Sequence, residues 1–394
     1  MMDGKIRLGI IGIGNMGSAH AKHVAEGQCP DFELAAVADV NPSRLQWAGE
    51  NLPGTVLRYD SAEALLDSGR IDACMICVPH YDHPKYAIDC LRRGIHVMVE
   101  KPAGVYTRQV REMNEEAAKH PTVIFGMMFN QRTNCVYRKV RELVQSGDYG
   151  NIRRTNWIIT NWYRPQAYYD SGDWRATWSG EGGGVLLNQC PHQLDLWQWI
   201  CGMPVSVKAK LSYGLWHDIE VEDDVTAYVR YANGATGVFI SSTGDLPGTN
   251  RLEIVGTRGK IVIEGGTLKH WTLPESERDI CAQSSESFPH VETAYAELTP
   301  EKGGAHADIL QNFTDAIRHG EALISPGCDG LAQLTLINAA YLSAWRGSAR
   351  IKLPFDTALY DRLLAARVAH SVYRGENAVS KPSEAQADRW QVNW

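Results

Sequence analysis

Six short apolar runs, at 5–11, 33–38, 55–58, 72–78, 95–99 and 122–126, alternate with amphipathic stretches near 15–27, 42–51, 61–67, 83–93 and 107–119. That alternation admits few folds. Apolar runs of this length read as strands buried on both faces, and each stretch between them is long enough to return the chain as a helix. Right-handed strand–helix–strand crossovers then build a mostly parallel sheet covered by helices. The first crossover carries Gly12-Ile13-Gly14-Asn15-Met16-Gly17, a GxGxxG between strand and helix. Its glycines allow a tight turn, close approach of backbone to a pyrophosphate and close packing of helix on strand, with the phosphate at the helix N-terminus. Asp39 follows the second strand at the spacing of an acid that binds a ribose 2′-hydroxyl. An acid there repels a 2′-phosphate, which favours NAD over NADP. Arg44, close by, reads as an exposed helix arginine or as a second group at the adenosine ribose.

Beyond residue 128 the pattern changes to strand-like segments at 152–163, 205–213, 225–231, 235–242, 250–255 and 259–264, with helical patterns near 134–146, 191–201, 306–319 and 329–346. Asn233-Gly234 and Arg258-Gly259 mark turns between some of these strands. The expectation is an α/β chain of two parts: an NAD-binding Rossmann domain over 1–128, then an α+β domain over 129–394 with a large mixed, mostly antiparallel sheet. The length of 394 residues agrees with two domains. One face of the second sheet needs covering by those helices or by another subunit, so a homodimer or homotetramer is expected. Residues 274–304 read as a long loop or insertion.

The net charge of −7, without a basic run, argues against a nucleic-acid or membrane partner. The N-terminus enters its first strand without a signal-peptide layout, and no apolar stretch approaches a membrane span, so a cytoplasmic protein is expected. Nine scattered cysteines are unlike a secreted disulfide scaffold. Cys74 and Cys77 have CxxC spacing inside a buried strand and read as structural thiols. His80 and His83 follow Pro79 in a strand-to-helix loop, and neither set reads as a metal site.

Two further segments carry chemistry. Glu100-Lys101-Pro102 ends the fifth strand, and Pro102 cannot continue a sheet ladder, so Lys101 is held at a turn where open α/β sheets present ligands. A lysine there can polarise a reacting oxygen or move its proton. Gly182-Gly183-Gly184 reads as a flexible loop leading through Asn188 to Pro191-His192 at the start of an apolar helix. The helix dipole there disfavours imidazolium and keeps His192 available as a base. Six of the twelve tryptophans fall between Trp157 and Trp199. With Tyr163, Tyr168 and Tyr169 they offer faces for a pyranose, about half of them expected in a cleft, while Arg164 and Arg175 suit hydroxyls or an acidic substituent. Trp162, Tyr163, Arg164, Trp174 and Arg175 are therefore candidate substrate residues.

The order of these motifs resembles the Gfo/Idh/MocA oxidoreductases, related to glucose-fructose oxidoreductase and inositol dehydrogenase, across nearly the whole chain. The matching features are the glycine loop, Pro79 and His83, Glu100-Lys101-Pro102, Trp174-Arg175, the glycine run, His192, and the ending from Ala339-Ala340-Tyr341 through Ile351-Lys352-Leu353-Pro354. The resemblance implies NAD(P) between the two domains, with Pro79, His83, Glu100 and Lys101 beside it and a cis Lys101-Pro102 bond. It also implies that Lys101 and His192 serve substrate binding and proton transfer during oxidation of a sugar or cyclitol alcohol. Many members carry an aspartate four residues before the histidine, whereas this chain has Asn188; an amide can orient a ring but cannot stabilise imidazolium by charge. The leading expectation is an NAD-dependent dehydrogenase acting on a secondary hydroxyl of a sugar, glycoside or cyclitol. Two others stand beside it: an NAD-dependent glycosidase using transient oxidation and elimination, and a non-catalytic NAD-binding sensor.

Overall fold

The computed structural model describes residues 4–172, 174–299 and 305–372. Strands β1 (Ile6–Ile11), β2 (Phe32–Ala38), β3 (Leu57–Tyr59), β4 (Ala73–Ile76), β5 (His96–Val99) and β6 (Phe125–Met127) alternate with helices α1 (Asn15–Ala25), α2 (Pro42–Asn51), α3 (Ala62–Asp67), α4 (His83–Arg92) and α5 (Thr107–Lys119). The strands pair in parallel in the order β3-β2-β1-β4-β5-β6. The order reverses between β1 and β4, so their exit loops part to opposite faces and leave a crevice at the carboxyl ends. Local chemistry fixes the helix starts: Asn41 and Ser61 accept N–H bonds from Ser43 and Ala64, and Pro42 occupies the first turn of α2. Helix α1, which begins at the glycine loop, has no side-chain cap.

The second sheet has nine strands: β7 (Ile152–Ile159), β8 (Ser206–Tyr213), β9 (Glu222–Arg230), β10 (Thr236–Ser242), β11 (Asn250–Gly256), β12 (Gly259–Glu264), β13 (Thr267–Thr272), β14 (Ala294–Leu298) and β15 (Ile351–Lys352). Among the described residues of this sheet only β7 and β10 pair in parallel; the other pairs are antiparallel. The helices of this half are α6 (Cys135–Gln145), α7 (Gln166–Tyr169), α8 (Pro191–Cys201), α9 (Glu277–Gln283), α10 (His306–His319), α11 (Gly330–Trp345) and α12 (Thr357–Val368). Helix α11 is buried along nearly its whole length, as its almost uniformly apolar sequence requires. It packs on β8 and α8 and also on α5. Asn338 Nδ2 donates to the Val105 carbonyl at 3.0 Å and to Thr107 Oγ1 at 2.8 Å. One cluster of buried apolar side chains therefore runs from the first sheet into the second.

The structure departs from the sequence expectation in several places, and strands β13 and β15 are two of them. The segment 274–304 holds α9 and β14, with residues 300–304 outside the described set. β14 is an edge strand whose Tyr295 and Leu298 are exposed, so it lacks the alternation that a half-buried strand shows. Helix α12 had no strong signal, because only Tyr360 and Leu364 are buried. Helix α10 does not cover the second sheet. Its Ile309, Leu310 and Phe313 join Ile6, Leu8, Phe32 and Leu34 in a separate core beneath the first.

Candidate active site

The glycine loop has the shape of a phosphate cradle. Gly12 has φ +91°, and a Cβ there would lie 2.6 Å from the Cys77 carbonyl oxygen. A Cβ on Gly17 would lie 1.8 Å from the Gly12 carbonyl oxygen, so loop and helix touch backbone to backbone. Around Gly14 the space is open, with nothing within 4 Å of such a Cβ. The uncapped N–H groups at Asn15 and Met16 thus begin a helix beside open space, a fit for an anionic pyrophosphate. Asp39 braces the loop: it accepts the Ile13 N–H at 2.7 Å through one oxygen and the Asn41 N–H at 2.8 Å through the other. Arg44 lies in the first turn of α2, half-buried. Pro79 is exposed at the exit of β4.

Glu100 and Lys101 leave β5 at the same end of the sheet, and the Lys101-Pro102 peptide is cis. Burial works to raise the Glu100 carboxyl, but the His20 hydrogen bond and the charges of His20, His306 and Lys101 prevail and hold it down at about 2. Its Oε1 lies 2.8 Å from His20 Nε2, and its Oε2 accepts the Lys101 N–H at 3.1 Å. His83 lies under the turn, with Nδ1 2.6 Å from the Pro102 carbonyl and Nε2 2.8 Å from the Val78 carbonyl. It thus ties the exits of β4 and β5 together from behind. Lys101 Nζ donates to the Asn188 carbonyl at 3.0 Å. Burial lowers the Lys101 pKa while Glu100, Tyr168 and Glu181 pull it back.

The glycine run is packed rather than flexible. Cβ atoms would lie 2.7 Å from Val105 at Gly182, 2.0 Å from Tyr341 Oη at Gly183 and 2.0 Å from the Glu222 carbonyl oxygen at Gly184. Glycine is required there by close approach, a cause that sequence does not separate from mobility. Glu222, fully buried, accepts the Gly184 and Leu186 N–H groups at 3.0 and 2.9 Å and the Tyr341 hydroxyl at 2.7 Å. The chain then makes a π-helical turn over Val185–Gln189 and delivers His192 to the first turn of α8. Burial lowers the His192 pKa to about 3, assisted by the Lys101 charge. The ring is therefore neutral as expected, with desolvation as the main cause instead of the helix dipole. Its buried Nδ1 has no hydrogen-bond partner among the described residues.

Asn188 does not orient that ring. Its amide donates to the Glu181 carboxylate and, at 3.3 Å, to Tyr168 Oη. Tyr168 is the centre of the aromatic group: Arg175 donates to its hydroxyl at 2.9 Å, and the Arg175 and Arg164 guanidiniums lie 4.7 and 5.1 Å from its ring centre. Trp174 flanks Arg175 at 4.7 Å and meets His80 edge to face, and Trp162 flanks Arg164 at 5.7 Å. Tyr163 is exposed, and its carbonyl accepts from Arg164 at 2.9 Å. Of the six tryptophans between 157 and 199, Trp162 and Trp174 border this group. In the core Trp197 stacks on Phe239 and Trp157 meets it edge to face, and Trp178 packs on Tyr341 and Trp345. Trp199 lies against Arg132 and Arg141. Three residues escaped the sequence reading as site groups: Tyr168, seen there only as one aromatic among several, Glu181 and Glu222. Glu181 adjoins the glycine run, a signal that was available; Glu222 lies 36 residues from Leu186, with none.

Comparison with known proteins bears on this geometry. Residues 6–127 match an oxidoreductase family with an NAD-binding Rossmann fold, and residues 137–262 match the GFO/IDH/MocA C-terminal domain. A myo-inositol 2-dehydrogenase of Thermotoga maritima is 25% identical over 343 residues, covering 85% of this chain and 95% of the relative. A D-glucoside 3-dehydrogenase of Escherichia coli is 28% identical over 252 residues, covering 59% of this chain and 69% of the relative. Among solved structures, the WlbA dehydrogenase of Bordetella pertussis, in complex with NADH and UDP-GlcNAcA, superposes with a TM-score of 0.76 at 28% identity, covering 90% of this chain and 100% of that one.

Proposed function

This chain belongs to the GFO/IDH/MocA family of NAD-binding oxidoreductases, and from that premise we propose that it oxidises a secondary hydroxyl of a sugar, glycoside or cyclitol. NAD held at the glycine loop supplies the hydride acceptor. Lys101 stabilises the developing alkoxide, and His192 takes the hydroxyl proton. The observation that carries this reading is the neutral, buried imidazole of His192 within the field of the Lys101 ammonium. An acceptor and a cation in one dry site suit an alcohol that must lose a proton as it loses hydride. The relatives named for inositol and glucoside oxidation support the substrate class. Trp162, Trp174, Arg164 and Arg175 then contact the sugar, with Tyr168 between the arginines.

The working unit in this reading is a cytoplasmic homodimer or homotetramer. Support comes from exposed Tyr228 on the second sheet and from nine free cysteines. The test is NADH absorbance across sugars, glycosides, uronates and inositols. For the best substrate, Lys101→Ala and His192→Ala each lower kcat by about 100-fold or more while NAD affinity stays within about threefold. Near-normal turnover in both variants removes the assignment.

A further inference from the structure

We propose that Glu181 is a positioning residue of this site, supplying from across the loop the carboxylate that Asn188 lacks and fixing the peptide that holds Lys101. The inference rests on the dehydrogenase reading above. Glu181 is 1% exposed. One oxygen accepts the Ala176 N–H at 2.6 Å, and the other accepts the Asn188 side-chain amide. Ala176 is itself held in the left-handed region, at φ +55°, which this hydrogen bond secures. Asn188 is thereby clamped at both ends, because its carbonyl receives Lys101 Nζ. A carboxamide at 188 would otherwise leave Lys101 facing no fixed charge on this side. Glu181 restores it one residue further away.

The charged and titratable groups around the Glu181 carboxylate are Arg175, Lys101, Tyr168, Tyr169 and His80, whose Nδ1 lies 3.0 Å from the Glu181 carbonyl. Burial raises its pKa to about 6 against the pull of Arg175. The clamp is therefore anionic above that pH. When the carboxyl is protonated, the Asn188 amide faces a weaker acceptor.

The test is steady-state kinetics of Glu181→Gln, Asn188→Asp and the double variant from pH 5 to 9, with thermal melts and NAD affinity as fold controls. Glu181→Gln is expected to lower kcat about tenfold to a hundredfold with NAD affinity unchanged, and to shift the acid limb of kcat/KM. The double variant, which returns the carboxylate to 188 opposite an amide, recovers most of the loss. Asn188→Asp alone sets two carboxyls together and moves the acid limb to higher pH. A Glu181→Gln enzyme within threefold of the parent, with the same pH profile, overturns the proposal. If the unaltered protein oxidises nothing in the panel, the dehydrogenase reading fails instead. Infrared spectra of the resting protein then decide Glu181 separately. A carboxyl or carboxylate band that is lost in Glu181→Gln and shifted in Asn188→Asp upholds the pairing; a Glu181 band unmoved in Asn188→Asp overturns it.

Discussion

The Asp39 carboxylate is already engaged in the free protein, with one oxygen on Ile13 N–H and the other on Asn41 N–H. A carboxylate has lone pairs to spare, so it can brace the loop and still receive ribose hydroxyls. These two tasks separate in a measurement. Asp39→Ala is expected to raise KM for NAD by about tenfold or more, since a charge-assisted hydrogen bond is worth about 1.5–3 kcal/mol. The loss for NADP should be smaller, because removing the carboxylate also removes repulsion of a 2′-phosphate. Equal losses for both cofactors would leave Asp39 as a brace alone. At the same scale, Arg132 is fully buried between Asp195, at 2.7 and 2.6 Å, and Asp329, at 2.6 Å. It gives no hint of this in the sequence, because Arg132, Asp195 and Asp329 sit far apart along the chain.

Among the elements, the glycine run shows how a correct position can carry a wrong cause. Three consecutive glycines suit a flexible loop equally well as a segment on which other groups close, and only the positions of Tyr341 and Glu222 decide. Gly183→Ala is expected to destabilise the protein by about 1–3 kcal/mol, the usual cost of overpacking, and to lower kcat by displacing the turn before His192. Paired with Tyr341→Phe, which removes the nearest atom, the combined loss should be smaller than the sum of the single losses in chemical denaturation. Strict additivity would return the run to the status of a loose linker. Elements with strong periodicity were legible in the same sequence: β1 through β6, α1 through α6, α8 and most of the central strands of the second sheet. The placing of Lys101 at a strand exit and of His192 at a helix start was legible, as was Glu181's position beside the glycine run, whereas the contacts that Glu181 and Tyr168 make there are encoded by no spacing. Strand β13, the edge strands β14 and β15 and helix α12 bury too little for a pattern to form.

For the molecule as a whole, buried titratable groups set an acid limit. His80, His83 and His192 all have lowered pKa values, chiefly through burial, whereas the unfolded chain takes up protons below about 6.5. Their contribution is complete above that pH and is lost as pH falls toward the folded value, about 3 for His192. Glu181 and Glu222 act in the opposite sense. Burial raises them to about 6 and about 7, so their folded-state advantage exists at low pH and fades as pH rises through those values. His192→Asn is expected to lose less Tm than the parent between pH 7 and pH 5 in thermal melts. Parallel pH slopes would show that His192 is not one of the groups responsible.

The return of α10 to the first sheet has a consequence for how the protein is made. Phe32 and Leu34 share their core with Ile309, Leu310 and Phe313, and the Phe32 and Phe313 rings lie 6.4 Å apart. The nucleotide-binding half leaves the ribosome first but waits for its last wall until residues 306–319 follow. At ordinary translation speeds that delay is roughly ten to forty seconds. During it, the apolar face that α10 covers in the finished fold is open to solvent and to neighbouring nascent chains, the condition in which a growing chain is most prone to aggregate.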